Sequence, residues 1–586
     1  MKKTIFIAVL AVAATFVSAQ NLGVDYFLLG DYDAATAYFQ KKLSSDAAEA
    51  NFYLGEIAFK KGNLAEAKTY YENGAAANSA DPYNKIGLVK LQIKGGNAKI
   101  IDKELQAIQK LAKKDVYVAI TIARAYLDNG DVANATLKHE AAKKINKKVP
   151  QIYILAGDIV KASGGVDKLG AAAAQYEMSN TIDPNYTLGY LKSAQIYETL
   201  NPRLALELLE KDTELNPNYL LAYRDLGKVS VTNGRYPEAI EAYTKFFNGG
   251  GDVTVADIER FARAYYFTDN YPEAQKLVNQ GLAINPNAYV LNRFNMYIAA
   301  KQKNTEAGLP AAEKFFAIPY ETPHLPLDYS EYAILLLANN NVQQAFAAYD
   351  KGISIDTLAF ENPTTRTTVG KQRIDLMTLA STAAKGQKNY ALAADYHTQY
   401  MAATNSNSLL DFTNLALNYL YAAANTDTLL LPSLQKNEKL LGKIASSPAE
   451  KELLATDLQA FSQKFASYYF QQANEYSDSI IARSDTSSYT GHLLKAQIAN
   501  TMNPKVEEGP ATHYYEIVVD KITNRTDSEL SAKTKQILLE AYNYLGYYYF
   551  LIKDKTNSIN YWNKVVELDP NNANAKVIFD AYAKQK

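Results

Sequence analysis

Residues 255–288 read VADIERFARAYYFTDNYPEAQKLVNQGLAINPNA, and the spacing within them decides the fold. Two short amphipathic segments flank a polar turn at Thr268, Asp269 and Asn270. Ala262, Tyr265, Tyr271, Ala274, Gly281 and Pro286 fall at fixed offsets across these 34 residues. A small residue on each segment lets two helices approach closely, rings fill the gaps beside it, and Pro286 ends the pair. A helix pair of this kind cannot bury its own apolar face, so it needs a copy of itself on each side.

The copies are present on both sides of it. NLGVDYFLLGDYDAATAYFQKKL (21–43) carries Leu22, Gly23, Tyr26, Gly30, Tyr32, Ala35 and Phe39 in the same frame. The next pair has Leu54, Gly55, Gly62, Ala67 and Tyr71, with its turn glycine 32 residues after Gly30. Glycine there allows the positive φ that ends a first helix. A weaker pair holds Ile86 and Gly87, and later pairs hold Ala123 and Tyr126, Gly157, and Ala194 and Tyr197. In that last pair, Asn201-Pro202 opens a second helix, where an early proline is tolerated. Leu226, Gly227, Gly234, Tyr236, Ala239 and Tyr243 repeat the frame before a small NGGGD insertion at 248–252. The pattern blurs over 290–320 and recovers at Ala333, Ala345 and Tyr349. Residues 358–371, polar and containing Pro363, read as a loop, and 425–457 fit the period worst. The expected division is a leader at 1–19, a solenoid at 20–320, middle repeats at 321–424, a helical insertion or degenerate repeat at 425–457, and C-terminal repeats with a capping helix at 458–586.

Composition narrows the class. Hydrophobic residues make up 48% of the 586 and charged residues of both signs 21%, which describes a folded chain. A formal net charge of -1 argues against bulk electrostatic capture of nucleic acid. The absence of cysteine excludes disulfides, thiolate metal sites and a cysteine nucleophile. Forty-five tyrosines accompany a single tryptophan, Trp562, and a ring with a wet hydroxyl suits half-buried positions between helices. MKKTIFIAVLAVAATFVSAQ opens with Lys2 and Lys3, continues with an apolar run from Ile5 to Phe16, and closes with the small residues of Val17-Ser18-Ala19. This is the form of a secretion signal cleaved after Ala19. The mature chain is therefore expected outside the cytoplasm, in a periplasm first of all, with outer-membrane association or secretion as alternatives. No later segment is apolar for long enough to span a membrane.

Nothing in the sequence converges on chemistry. His139, His324, His397, His492 and His513 are scattered. HExxH, GxSxG and GxxxxGK[ST] motifs are absent, and the glycine pairs lie in helix turns. The expectation is a non-catalytic protein without a cofactor or metal.

The recurring motif is a small residue preceded by leucine, then tyrosine, glycine, tyrosine, alanine and a terminal proline. Leu226-Gly227 with Gly234, Tyr236, Ala239 and Tyr243 carries it, as does Leu545-Gly546 with Tyr549, Trp562 and Pro570. In this motif the chain resembles the tetratricopeptide repeat family, and together with the signal it is similar to exported members of the Bacteroidetes type. The resemblance covers about 12 to 14 helix pairs and implies an all-α, right-handed superhelical solenoid. It also implies a concave groove, lined by each first helix, that binds a protein or peptide. Carried over by position, the groove residues are Phe52, Glu56, Phe59, Arg124, Arg224, Lys228, Arg263, Tyr266, Asn543, Tyr547 and Phe550. Arg224 and Lys228 share a helix face that Arg263 extends, and such a cluster can hold a carboxylate. The family's carboxylate clamp of paired lysines and asparagines is not matched. The alternative partner is a glycan or an outer-membrane component.

Overall fold

A computed structural model of the chain describes residues 21–112, 115–320, 323–524 and 530–584. The leader at 1–19 lies outside the described residues. These contain 32 α-helices and two short 3-10 turns, and no strand is found among them. Successive helices pack in pairs, as Ala47–Lys60 does with Leu64–Ala77 and Val255–Phe267 with Tyr271–Ile284.

The pair at 255–288 shows the local causes. Thr254 caps the helix Val255–Phe267: its hydroxyl accepts the Asp257 N–H at 3.2 Å, and the Asp257 carboxylate accepts the Thr254 N–H at 3.1 Å. Such a capping box satisfies two of the donors left over at a helix start. Asp269, at φ 58°, turns the chain into Tyr271–Ile284. In the first two pairs glycine takes that place, Gly30 at φ 87° and Gly62 at φ 82°. Ala262 and Ala274 are fully buried at the crossing. Asn201 accepts from the Leu204 N–H and Pro202 occupies the first position of Pro202–Leu215, as the sequence indicated.

Close approach is set by a small residue meeting a ring. A Cβ on Gly55 would lie 2.5 Å from the Tyr71 ring, so only hydrogen fits there. Trp562 takes the role of that tyrosine against Gly546, where a Cβ would lie 3.0 Å from the indole.

The chain divides into two compact units between Ile298 and Ala299, within the helix Tyr289–Lys301 and upstream of the polar stretch near 321. The blurred stretch after Pro286 is helical too, with Pro310 inside the helix Thr305–Ala317. In the C-terminal unit, the expected loop at 358–371 is corrected. From Pro363 onward it forms the first turns of the helix Pro363–Gly386, because Asn362 caps Thr364 and Thr365 and proline suits a first helical position. Helices Leu409–Asn425 and Leu458–Arg483 form one pair through Tyr419 and Tyr469. Between them in sequence, three short helices bury Leu434, Leu441 and Leu454 in the same core as Phe461 and Phe465. The final helix Ala573–Lys584 covers the last pair with Ile578 and Tyr582.

The N-terminal unit closes on itself. Its first helix, Leu22–Leu29, joins one apolar core with Leu191, Ala194, Leu221 and Ala222 from the sixth and seventh pairs. Polar contacts pin the same junction. Tyr219 donates to Asp25 at 2.6 Å, Arg224 to Asp31 at 2.6 Å, and Lys192 to the Leu28 carbonyl at 2.8 Å. The insertion at 248–252 adds a fourth contact, Asp252 lying 3.9 Å from Lys41.

Candidate functional site: a closed interior and an open groove

The first helices of the N-terminal unit carry charges at the positions that would face a groove. Closure turns these inward, where they pair with one another. Lys90, almost fully buried, lies 2.8 Å from Glu56, 2.6 Å from Asp128 and 4.2 Å from the centre of the Phe59 ring. Tyr71 donates to Glu56 at 2.6 Å. Asp158 collects Arg124 at 3.0 Å, Lys192 at 2.9 Å and the Tyr176 hydroxyl at 2.8 Å. Burial alone would raise the Asp128 carboxyl, but Lys90, Lys60 and Arg124 outweigh it and hold it at about 2. Asp158 is lowered in the same way by Lys192 and Arg124. At the junction the balance reverses. Burial raises Asp25 to about 6 against the Tyr219 hydrogen bond, and Asp212 to about 7 against Asn216 and Thr187.

What stays hollow is a cavity of about 580 Å³ beside the first helix. Phe52, Glu56 and Arg124, three of the sequence-predicted groove residues, line this one cavity. Phe59 lies apart from it, beneath Lys90. The sequence reading missed Phe27, Tyr83 and Tyr117, which complete the wall. Tyr83 and Tyr117 each sit in the first turn of a first helix, Tyr83 in the weakly patterned pair and Tyr117 in the clear one after it.

The basic cluster expected at Arg224, Lys228 and Arg263 does not present a common face. Arg224 is buried and engages Asp31 and Asp225, and Lys228 pairs with Glu198 at 2.8 Å. Arg263 is exposed, with its guanidinium over the Phe267 ring at 5.6 Å. The carboxylates held there belong to the chain. Tyr266 is packing rather than groove, buried among the Phe267, Tyr271, Phe294 and Tyr297 rings.

The C-terminal unit keeps an open hollow of about 680 Å³ that contains Asn543 and Tyr547. Phe550 lies beside it, stacked on Tyr547 at 6.4 Å and edge-on to Tyr582 at 5.4 Å. The Asn543 amide donates to the Leu539 carbonyl, which leaves its buried oxygen without a donor. The Trp562 indole N–H, on the same wall, is buried without an acceptor. The Tyr547 ring is 43% exposed at the rim.

Of the histidines, His139 contacts the Ile152 carbonyl at 3.1 Å and His397 lies 3.6 Å from Asp411. Among the described residues no three His, Asp or Glu side chains cluster as metal ligands, and no helix is long and apolar enough to cross a membrane.

Comparison with known proteins follows the same lines. Tetratricopeptide repeat family models match residues 21–84 and 539–572. Among solved structures, the C-terminal part of a repeat-containing protein from Cytophaga hutchinsonii is 18% identical, with a TM-score of 0.36 over 55% of this chain and 98% of its own. A tetratricopeptide repeat protein from Parabacteroides merdae is 18% identical, with a TM-score of 0.32 over 44% of this chain and 98% of its own. Yeast Tom70 is 14% identical, with a TM-score of 0.27 over 71% of this chain and 98% of its own. No curated protein matches the chain.

Proposed function

The chain is a tetratricopeptide repeat protein, and on that premise we propose that it is an exported, non-catalytic scaffold that binds an extended protein segment in the hollow of its C-terminal unit. Proteins of this family are generally interaction scaffolds rather than enzymes. One observation carries the choice of site: the buried Asn543 oxygen and the buried Trp562 N–H, both unpartnered, line the same open hollow. An unmade hydrogen bond on a buried group costs about 1–3 kcal/mol. A peptide amide supplies one donor and one acceptor, so a main chain laid there answers both groups. Tyr547 then offers a ring to a partner side chain, as tyrosine does at interface anchors.

Export follows from the leader sequence, and a periplasmic site of action is part of the proposal. The test is crosslinked capture from fractionated envelopes. The chain should recover a defined protein from the periplasmic fraction, and Asn543→Ala with Tyr547→Ser should lose it. Undiminished capture by that double variant refutes the site. Capture of glycan alone refutes the partner class, and an uncleaved cytoplasmic product refutes export.

A further inference from the structure

We propose that the cavity beneath the first helix of the N-terminal unit binds a small organic cation, an ammonium group carried on an apolar or aromatic body. The site lies in a different unit from the peptide site and does not depend on it.

The cavity has the size and wall of a ligand site. Its volume of about 580 Å³ falls within the range of small-molecule pockets. Phe27, Phe52, Tyr53 and Tyr83 form a continuous aromatic surface, with centroids 5.8 Å apart for Phe27 and Tyr53, 5.0 Å for Phe52 and Tyr53, and 5.6 Å for Phe52 and Tyr83. Aromatic faces carry partial negative charge and attract cations.

The polar groups select the sign of the ligand. Asp46, Glu49 and Asp81 line the cavity; Glu49 is paired with Lys42 and accepts the Asn21 amide at 2.6 Å, whereas Asp46 and Asp81 meet no cation among the described residues. Asp81 caps the helix Pro82–Ile93 through one oxygen, and Asp46 caps Ala47–Lys60 through one oxygen. Deeper in, the Gln151 and Asn21 carbonyl oxygens are buried and find no donor. Thus the unanswered groups are acceptors. The single guanidinium on the wall, Arg124, is engaged by Asp158 at 3.0 Å. Burial raises the Tyr83 phenol, with Asp115 and Asp81 adding to it, and burial raises Tyr53, with Glu49 and Glu56 adding to it against Arg124. An ammonium donor satisfies the orphaned oxygens and the Asp46 and Asp81 carboxylates together. A neutral sugar gains only the hydrogen bonds, and an anion is repelled.

The probe is 2-phenylethylammonium, titrated calorimetrically into the full chain beside neutral 2-phenylethanol, anionic 3-phenylpropionate and glucose. The amine alone should bind, and more weakly as salt is added. Asp46→Asn with Asp81→Asn removes two charges while asparagine keeps both helix caps, and should weaken binding about tenfold or more. Tyr117→Ser, at an exposed ring, should weaken it by a few-fold and serves as a second variant that leaves the core intact. Asn543→Ala with Tyr547→Ser should leave it unchanged, so failure here is distinguishable from failure of the peptide site. The proposal is overturned if the alcohol, acid or sugar binds as well as the amine. It is equally overturned if the amine shows no binding up to about 10 mM, or if the charge-removing variant binds it undiminished.

Discussion

Arg224 is the residue on which closure of the N-terminal unit can be measured. Replacing it with glutamine removes the partner of Asp31 at 2.6 Å and of Asp225 at 3.2 Å, together with a cation–π contact to Tyr26 at 5.6 Å. Breaking one side of a buried ion pair costs about 3–5 kcal/mol. The Asp31 side chain is a quarter exposed and can recover some hydration, which places the cost at the lower end, about 3 kcal/mol. Arg224 touches the first pair only across the junction, so the loss falls on docking of that pair. A 3 kcal/mol change multiplies the open population by about 150. Amide hydrogen exchange read by mass spectrometry should show Leu22–Leu29 and Tyr32–Lys42 exchanging faster by about two orders of magnitude. Peptides from Leu458–Arg483 in the other unit should be unchanged. Combining Arg224→Gln with Asp31→Asn should cost less than the sum of the two, with a coupling of about 2 kcal/mol. Unaltered exchange in the first pair, or strictly additive costs, refutes the junction as described.

Asp25 sets a pH dependence. Its folded pKa of about 6 lies above its ordinary 3.8, so its favourable contribution is complete below about 4 and lost as pH rises through 6. Asp128 works in the opposite sense: held at about 2, it stabilises above 3.8, and that contribution is lost as pH falls through 2. Urea midpoints for the N-terminal unit should therefore fall between pH 5 and pH 8, with Asp25→Asn flattening that slope. Gly55→Ala drives a methyl to 2.5 Å from the Tyr71 ring and should destabilise by about 1–3 kcal/mol in the same titration. Lys90→Met leaves Glu56 buried without a cation while Asp128 keeps Lys60, and should cost about 3 kcal/mol. Asn543→Ala should change stability by less than about 1 kcal/mol, since the lost oxygen had no donor, while weakening partner binding measurably by titration.

The sequence made the repeat unit legible because stacking is a local requirement. Each pair states its small residues, its rings and its turn within one period, so Ala262, Ala274 and Gly62 could be placed without knowing any other pair. Closure was not legible, because no local pattern records that Asp31 will meet Arg224 or that Asp25 will meet Tyr219. That information lies in how many pairs complete a turn. The same gap explains the fate of the groove residues. Position within a pair placed Glu56, Arg124 and Arg224 in the groove, and all three side chains are held in ion pairs within the unit. Whether the inside is open depends on the first helix, so these charges pair with one another, whereas Asn543 and Tyr547 line an open hollow. Tyr266 was placed in the groove by position because its neighbours Phe294 and Tyr297 belong to the stretch where the pattern blurs. Pro363 was read as a loop residue because proline and polar neighbours mark both loops and helix starts. Asn362 as the cap decides between the two.

Closure can be tested directly at Lys41 and Asp252. They lie far apart in sequence, both side chains reach solvent, and the amine is 3.9 Å from the carboxylate. Zero-length carbodiimide coupling of the native monomer, followed by proteolysis and mass spectrometry, should yield an isopeptide joining the peptides that contain these two residues. It should be lost on Asp252→Asn and reduced by Arg224→Gln. A solenoid whose first pair stands away from the seventh would give no such link in the monomer, and that result would contradict a closed N-terminal unit.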